Sequence, residues 1–385
     1  VLSGMIEFSV RKKSKKSNAR LGVLKTPHGE VETPCFVPVA TQATVKTLSA
    51  EDVVNAGTQM VISNAYHLHL RPGEKLIKSH GGIQKFSGLN LPVMTDSGGF
   101  QVLSLGFGRD FGISKVMKYD TGEVIMKGAQ PKLLKITEDG VEFTSYVDGS
   151  KLFLGPKESI KIQEGIGADI MFAFDEATVP TANHEYTAES LKKTHRWADI
   201  CLKAKKTDQA LYGIVQGGKF KDLRIESAKF IATRPFDGFG IGGEYGSDKK
   251  KMVEMIKWVT DELPEEKPRH LLGIGYLEDM EPVIKAGVDT FDCTVPTHYA
   301  RHGNAFTSKG KIDLTKTVWL SGKASKEPLD PKCECFVCQN HTKGYLSHLI
   351  RAHEILGLRL VTFHNVYYFN NYVAELRNKI KKGLI

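Results

Sequence analysis

Eight short apolar runs, most of them followed by a stretch of helical periodicity, constrain the fold of this chain more than any other feature. They read CFVPVA, QMVIS, LPVMT, ADIMFAF, LYGIV, GFGI, HLLGI and DTFDC. Runs of this length rich in Val, Ile and Phe read as strands. Between them lie amphipathic stretches such as SAEDVVNAG, PKESIKIQEGIG, TAESLKKTHRWADICLKAKK, FKDLRIESAKFIA, KKKMVEMIKWVTDEL and YLEDMEPVIKAG. Such alternation gives parallel strands with crossover helices. Eight units favour closure, so the expected fold is α/β, a TIM (β/α)8 barrel over residues 22–295. Polar or glycine-rich tails follow the strands: NAYHLHL, DSGGFQ, DEAT, QGG, GGEYG and GYLED. In a barrel of this kind they converge on the mouth, where chemistry takes place.

Two regions break the rhythm. Residues 107–153, with DTGEV, EDG and VDGSK turns between alternating segments, read as β-hairpins inserted after the third strand. Residues 296–385 lack the strand–helix alternation and hold three of the six cysteines, so they are expected to form a metal-stapled subdomain with closing helices. Residues 1–21 read as a basic N-terminal segment. GIGGEYG lacks the Lys-Ser/Thr of a phosphate loop and is set aside.

Composition narrows the setting. A chain of 385 residues with 41% hydrophobic and 25% charged content can bury a sizeable core, and no apolar run reaches the roughly 18 residues needed to cross a bilayer. The opening VLSGMIEFSVRKKSKK lacks the continuous apolar stretch of a signal peptide, so the cytoplasm is expected. Thiols stay reduced there, which argues against a disulfide framework. The formal charge of +9, with basic runs at RKKSKK, GSDKKKM and LRNKIKKGLI, suits a polyanionic partner and equally serves solubility alone.

Cys333, Cys335 and Cys338 follow a C-x-C-x2-C pattern. Three thiolates held this close repel one another unless a cation compensates, and tetrahedral Zn2+ is the usual solution. His341, His348, His353 and His364 are candidates for the fourth ligand, and spacing does not choose among them. A closed site of this kind is structural. The carboxylates point elsewhere: Asp96 ends the third strand in DSGGF, Asp175 and Glu176 end the fourth, and Asp292 ends the eighth. Any one could merely cap a helix. Several at one mouth, beside Gly98, Gly99, Gly217, Gly218, Gly242 and Gly243, suit acid/base and nucleophilic work on a glycosidic bond. Glycines let a flat ligand approach the backbone, and the Gln216 amide can read a base edge.

TDSGGFQV, ADIMFAFDE, YGIVQGG, FGIGG, LLGIGY, FDCTVPT and CECFVC followed by VTFHN occur in the order and spacing of the tRNA-guanine transglycosylases, the queuine tRNA-ribosyltransferases. The chain resembles this family from about Gly22 to Ile380. The resemblance implies a zinc-bearing TIM barrel that exchanges guanine at the wobble position of G-U-N tRNAs (Asp, Asn, His, Tyr) for a 7-deazaguanine without cutting the chain. It implies Asp292 as nucleophile and Asp96 as general acid/base. It assigns the base to Asp175, Gln216, Gly242 and the Gly243 amide, with Ser97 and Glu244 beside them and Phe100 and Leu272 sandwiching the ring. Thr294, His298 and Arg301 match tRNA-contacting positions, and His364 matches the fourth ligand of one structural zinc per chain. Homodimers through the zinc region are also implied.

Departures from the family pattern bear on the incoming base. Many bacterial members have Cys after the DE pair and GGLAVGE after the sixth strand, where this chain has Ala177 and GGEYGSD, with Gly246 in place of Val. Both changes shrink a side chain, which favours queuine over 7-aminomethyl-7-deazaguanine. Glu244 and His298 also depart from the usual Leu and Arg. A non-catalytic, tRNA-binding partner subunit is the first rival, and it would lack the catalytic carboxylates that this chain has. An archaeal relative acting on the tRNA core would carry further C-terminal domains. A zinc hydrolase would need an open metal site at the mouth.

Overall fold

The computed structural model describes residues 6–99, 134–145, 147–243, 245 and 248–385. Strands β1 (Glu7–Lys13), β2 (Arg20–Thr26) and β3 (Gly29–Thr33) form an antiparallel sheet ahead of the barrel. β1 falls within the basic segment, and β2 begins before residue 22. The barrel strands begin with β4 (Cys35–Pro38), β5 (Val61–Ser63) and β6 (Val93–Thr95). Next come β7 (Leu134–Ile136), β8 (Val141–Thr144) and β9 (Lys151–Leu154), an antiparallel sheet lying where hairpins were expected. Residues 107–133 of that expectation lie outside the described residues. The barrel resumes with β10 (Ile170–Phe172), β11 (Ala210–Val215), β12 (Gly238–Ile241), β13 (Arg269–Leu271) and β14 (Thr290–Cys293).

All eight apolar runs are thus strands of one parallel sheet. β4 pairs with β14, and a parallel bridge between Val39 and Ile62 links its other side to β5, closing the barrel. Side-chain alternation explains the GFGI sequence. Gly238 and Gly240 face the lumen, where a Cβ would come within 2.5 Å of the Tyr212 ring and 2.9 Å of Phe172, so large rings from β10 and β11 fill space that these glycines leave. Phe239 and Ile241 turn outward into the layer between strands and helices. Leu24 and Val31 of the N-terminal sheet join the lumen cluster and plug it from below.

Beyond β14 run the helix Val295–Arg301, the hairpin β15 (Asn304–Thr307) and β16 (Gly310–Asp313), and short helices leading to the 27-residue helix Ile355–Lys381. This last helix returns to the barrel wall. Phe369 meets Phe36 of β4 at 5.5 Å between ring centroids. Arg359 donates to both oxygens of Asp52 at 2.8 Å, and Asn370 Nδ2 to Ala56 O at 2.8 Å. The subdomain is therefore bolted to the first helix of the barrel, Ala50–Asn55. No helix among the described residues is long and apolar enough to cross a membrane.

Candidate active site

Asp96 leaves the end of β6 into a cage of donors. Asn64 Nδ2 reaches its Oδ2 at 2.7 Å, while the amides of Ala65 and Gly98 reach Oδ1 at 3.1 and 3.2 Å. Asn64 is itself fixed as the cap of the helix Ala65–Leu70, accepting from His67 N at 2.9 Å. Across the barrel, Asp292 Oδ1 accepts from Gly273 N at 2.8 Å and lies 3.2 Å from His270 Nε2. His270 is fully buried, and its Nδ1 lies 2.9 Å from Thr290 Oγ1. One oxygen of Asp292 is thereby anchored from beneath.

Asp175, just past β10, accepts from Gln216 Nε2 at 2.6 Å and from Ser97 Oγ at 3.3 Å. The Gln216 backbone is tied to the Ser227 hydroxyl at 3.1 Å, and its buried Oε1 has no hydrogen-bond partner among the described residues. A buried acceptor left open in this way is suited to a ligand donor.

These groups share one cavity of about 570 Å3, lined by Asp96, Ser97, Asp175, Ala177, Gln216, Gly242, Gly243, Leu272, Asp292, Thr294 and His298. Arg301 ends the helix Val295–Arg301, whose Val295, His298 and Tyr299 line the cavity, and is not itself among the lining residues. Phe100, Glu244 and Gly246 lie outside the described residues. Asn64, His67, Tyr276 and Tyr299 also line the cavity, although only the polar tail NAYHLHL drew attention to the first two. His270 was missed altogether, because as the first letter of HLLGI it reads as the edge of an apolar run.

Cationic groups lie close to His67 of the cavity lining. Burial lowers the Lys46 pKa and the nearby Arg301 charge lowers it further; burial and the Lys46 charge do the same to His67. Burial, then the neighbouring Tyr299, raises the Tyr276 phenol. A polyanion would relieve this repulsion.

The cysteines assemble away from the cavity. The ligand atoms of Cys333, Cys335, Cys338 and His364 all lie within 4.8 Å of one another, with His364 Nδ1 at 3.7, 3.4 and 3.4 Å from the three sulfurs. A tetrahedral zinc with ordinary bond lengths places sulfur and nitrogen ~3.5 Å apart, so the set fits that metal. His364 Nε2 donates to Phe306 O at 2.7 Å, which turns Nδ1 and its lone pair toward the thiols. His341, His348 and His353 are not part of the group, and none of its four members lines the cavity.

The sequence pattern of the family described as Queuine tRNA-ribosyltransferase matches residues 14–385. The chain is 42% identical over 382 residues to the queuine tRNA-ribosyltransferase of Halothermothrix orenii, covering 99% of this chain and 95% of that protein. It is 43% identical over 378 residues to that of Natranaerobius thermophilus, covering 97% and 95%. A similar protein of Caldanaerobacter subterraneus is 43% identical over 380 residues, covering 98% and 94%. With a closed (β/α)8 barrel, a carboxylate-lined mouth and a Cys3His cluster, the chain belongs to the queuine tRNA-ribosyltransferase family of glycosyltransferases.

Proposed function

We propose that the protein is a tRNA-guanine transglycosylase working by double displacement, with guanine at the wobble position of G-U-N tRNAs as leaving base. The observation that carries this reading is one cavity holding Asp96, Asp292 and the linked Ser97, Asp175 and Gln216 set. An Asp292 carboxylate oxygen attacks the ribose anomeric carbon and the glycosidic bond breaks. Asp96 protonates the departing guanine. The ester between Asp292 and ribose then accepts the incoming base, which gives its ring proton to Asp96 as the new bond forms, so configuration is retained. Asp175 accepts from the base's ring N–H and amino group, while the Gln216 Nε2 hydrogen not given to Asp175 and the Gly243 amide meet its carbonyl edge. Leu272 and Phe100 sandwich the ring, with Ser97, Gly242 and Glu244 beside it.

Lifting the wobble base from its stack costs a few kcal/mol, offset by phosphate contacts. Thr294, His298, Arg301 and the basic zinc region would provide contacts to the tRNA. Queuine is the proposed incoming base, supported by the small Ala177 on the cavity wall, with Gly246 as a second size determinant. Cys333, Cys335, Cys338 and His364 would hold a structural zinc that fixes the hairpin β15–β16 and the helix Ile355–Lys381 in mutual register. A homodimer through this region is supported by exposed Val318, Leu320, Phe336 and Tyr345.

Incubation with labelled guanine and a G-U-N tRNA tests the reading. Label should enter the wobble position, and queuine should exceed its aminomethyl precursor in kcat/KM. A folded, zinc-loaded protein that incorporates nothing would sink the activity, and a non-catalytic tRNA-binding role would take its place. A preference for the precursor would overturn only the choice of base.

A further inference from the structure

Behind the cavity wall lies a cation that the steps above do not use. Arg224, on the helix Lys221–Ala232, is fully buried. Its hydrogen bonds run to carbonyl groups: Nε donates to Gly218 O at 2.6 Å and Nη1 to Gly242 O at 3.3 Å. Nη2 has no partner among the described residues, and none of their carboxylates forms an ion pair with this side chain. A guanidinium taken out of water is costly, and among the described residues only carbonyl oxygens and the Tyr245 ring compensate it. Packing alone would favour an apolar side chain there.

The carbonyl it addresses belongs to the cavity wall. Gly242 O accepts a second hydrogen bond, from the Tyr245 hydroxyl at 3.0 Å, and the Tyr245 ring lies 4.9 Å from the guanidinium carbon. The Gly242–Gly243 peptide is trans, so its N–H points opposite to that carbonyl. No acceptor among the described residues meets the Gly243 N–H, and both glycines line the cavity. Gly243 has φ +107°, and a Cβ on it would come within 2.4 Å of Arg224 Nη2. Glycine alone permits the peptide and the cation to approach this closely.

We propose that Arg224 is a positioning and specificity-determining residue: together with Tyr245 it orients and polarises the Gly242–Gly243 peptide so that the Gly243 N–H selects a base with a carbonyl on the facing edge. A positive charge behind the carbonyl deepens the peptide dipole and strengthens its N–H as a donor. The same donor steadies the negative charge that gathers on the base oxygen as the glycosidic bond breaks, before Asp96 delivers its proton. The inference rests on the base pocket proposed above.

Direct base binding tests it without tRNA. The protein is titrated with fluorescent 2-aminopurine, which lacks the carbonyl, and the bound probe is displaced with guanine. Arg224→Met should cut the preference for guanine by about tenfold while 2-aminopurine affinity holds, because only the carbonyl contact is weakened. Arg224→Lys should restore most of the preference. Tyr245→Phe should lower the same ratio by a smaller factor, and it decides the matter if Arg224→Met does not fold. Affinities for both bases falling together, or a ratio unchanged in every folded variant, would overturn the role. Labelled-guanine exchange by the wild type is run beside it: no exchange removes the function, whereas normal exchange with an unchanged ratio removes only the role of Arg224.

Discussion

Asp292 and Asp96 are both carboxylates at strand ends, yet their surroundings differ. Asp96 sits among two backbone amides and the Asn64 side chain, whereas Asp292 rests on the Gly273 amide and the His270 ring. An attacking carboxylate gains from an orientation fixed before substrate arrives. His270→Leu should therefore lower kcat, by up to about 10²-fold, with the KM for tRNA little changed. His270→Gln, which can still donate to Asp292, should recover part of the loss. Equal kcat in the wild type and the Leu variant would remove His270 from this role. Asp96 and Asp175 were legible in the sequence because each opens a polar tail after an apolar run, and Asp292 because a carboxylate stands near the end of the apolar run DTFDC. His270 and Arg224 were not, since one opens such a run and the other reads as the polar face of an amphipathic helix. His270 meets Thr290 and Asp292 of the next strand, and Arg224 reaches back to Gly218 and across to Gly242, contacts that only the barrel's closure assembles.

At the scale of elements, strand periodicity survives into the fold because every barrel strand is buried, and burial is what an apolar run records. β1 was hidden for the converse reason. Its EFSVRKK sequence is half-exposed and basic, and reads as a solvated tail until β2 supplies its partner. The helix layer carries its own pH sensitivity. His195, on the helix His184–Ala204, stacks on Phe230 of the next helix at 3.9 Å, and the Arg234 guanidinium carbon lies over the same ring at 3.6 Å from its centroid. Burial first, then the Arg234 charge, pushes its imidazole down to about 4. The unfolded chain, with an ordinary histidine near 6.5, binds the extra proton more readily between those values. Stability from the neutral ring is thus complete above about pH 6.5 and is lost as pH falls toward 4. His195→Phe should flatten the fall of Tm across that window, and an unaltered slope would show that other groups carry it.

For the molecule as a whole, the carboxylate-lined cavity and the Cys3His cluster occupy separate places. The Cys3His cluster ties the hairpin β15–β16, through Phe306, to a long helix that Arg359 and Asn370 fasten to the barrel. Its three cysteines were legible because they fall within a six-residue span; spacing left His364 one of four candidate histidines, 26 residues beyond Cys338, and only the family resemblance singled it out before the fold brought it to the thiols. Stripping the zinc should lower Tm and weaken dimerisation and tRNA docking, read by thermal melting, sedimentation and gel shift. An intact fold, dimer and tRNA affinity with only bond breaking abolished would contradict this division. The central claim is that Asp292 forms a covalent bond to ribose. Intact-mass analysis of the protein incubated with a G-U-N tRNA measures it most directly: the wild type should yield an adduct of protein and tRNA lacking one guanine, mapping to Asp292, and Asp292→Asn should bind tRNA without forming it. An adduct that persists in Asp292→Asn, or maps to another residue, would contradict the account.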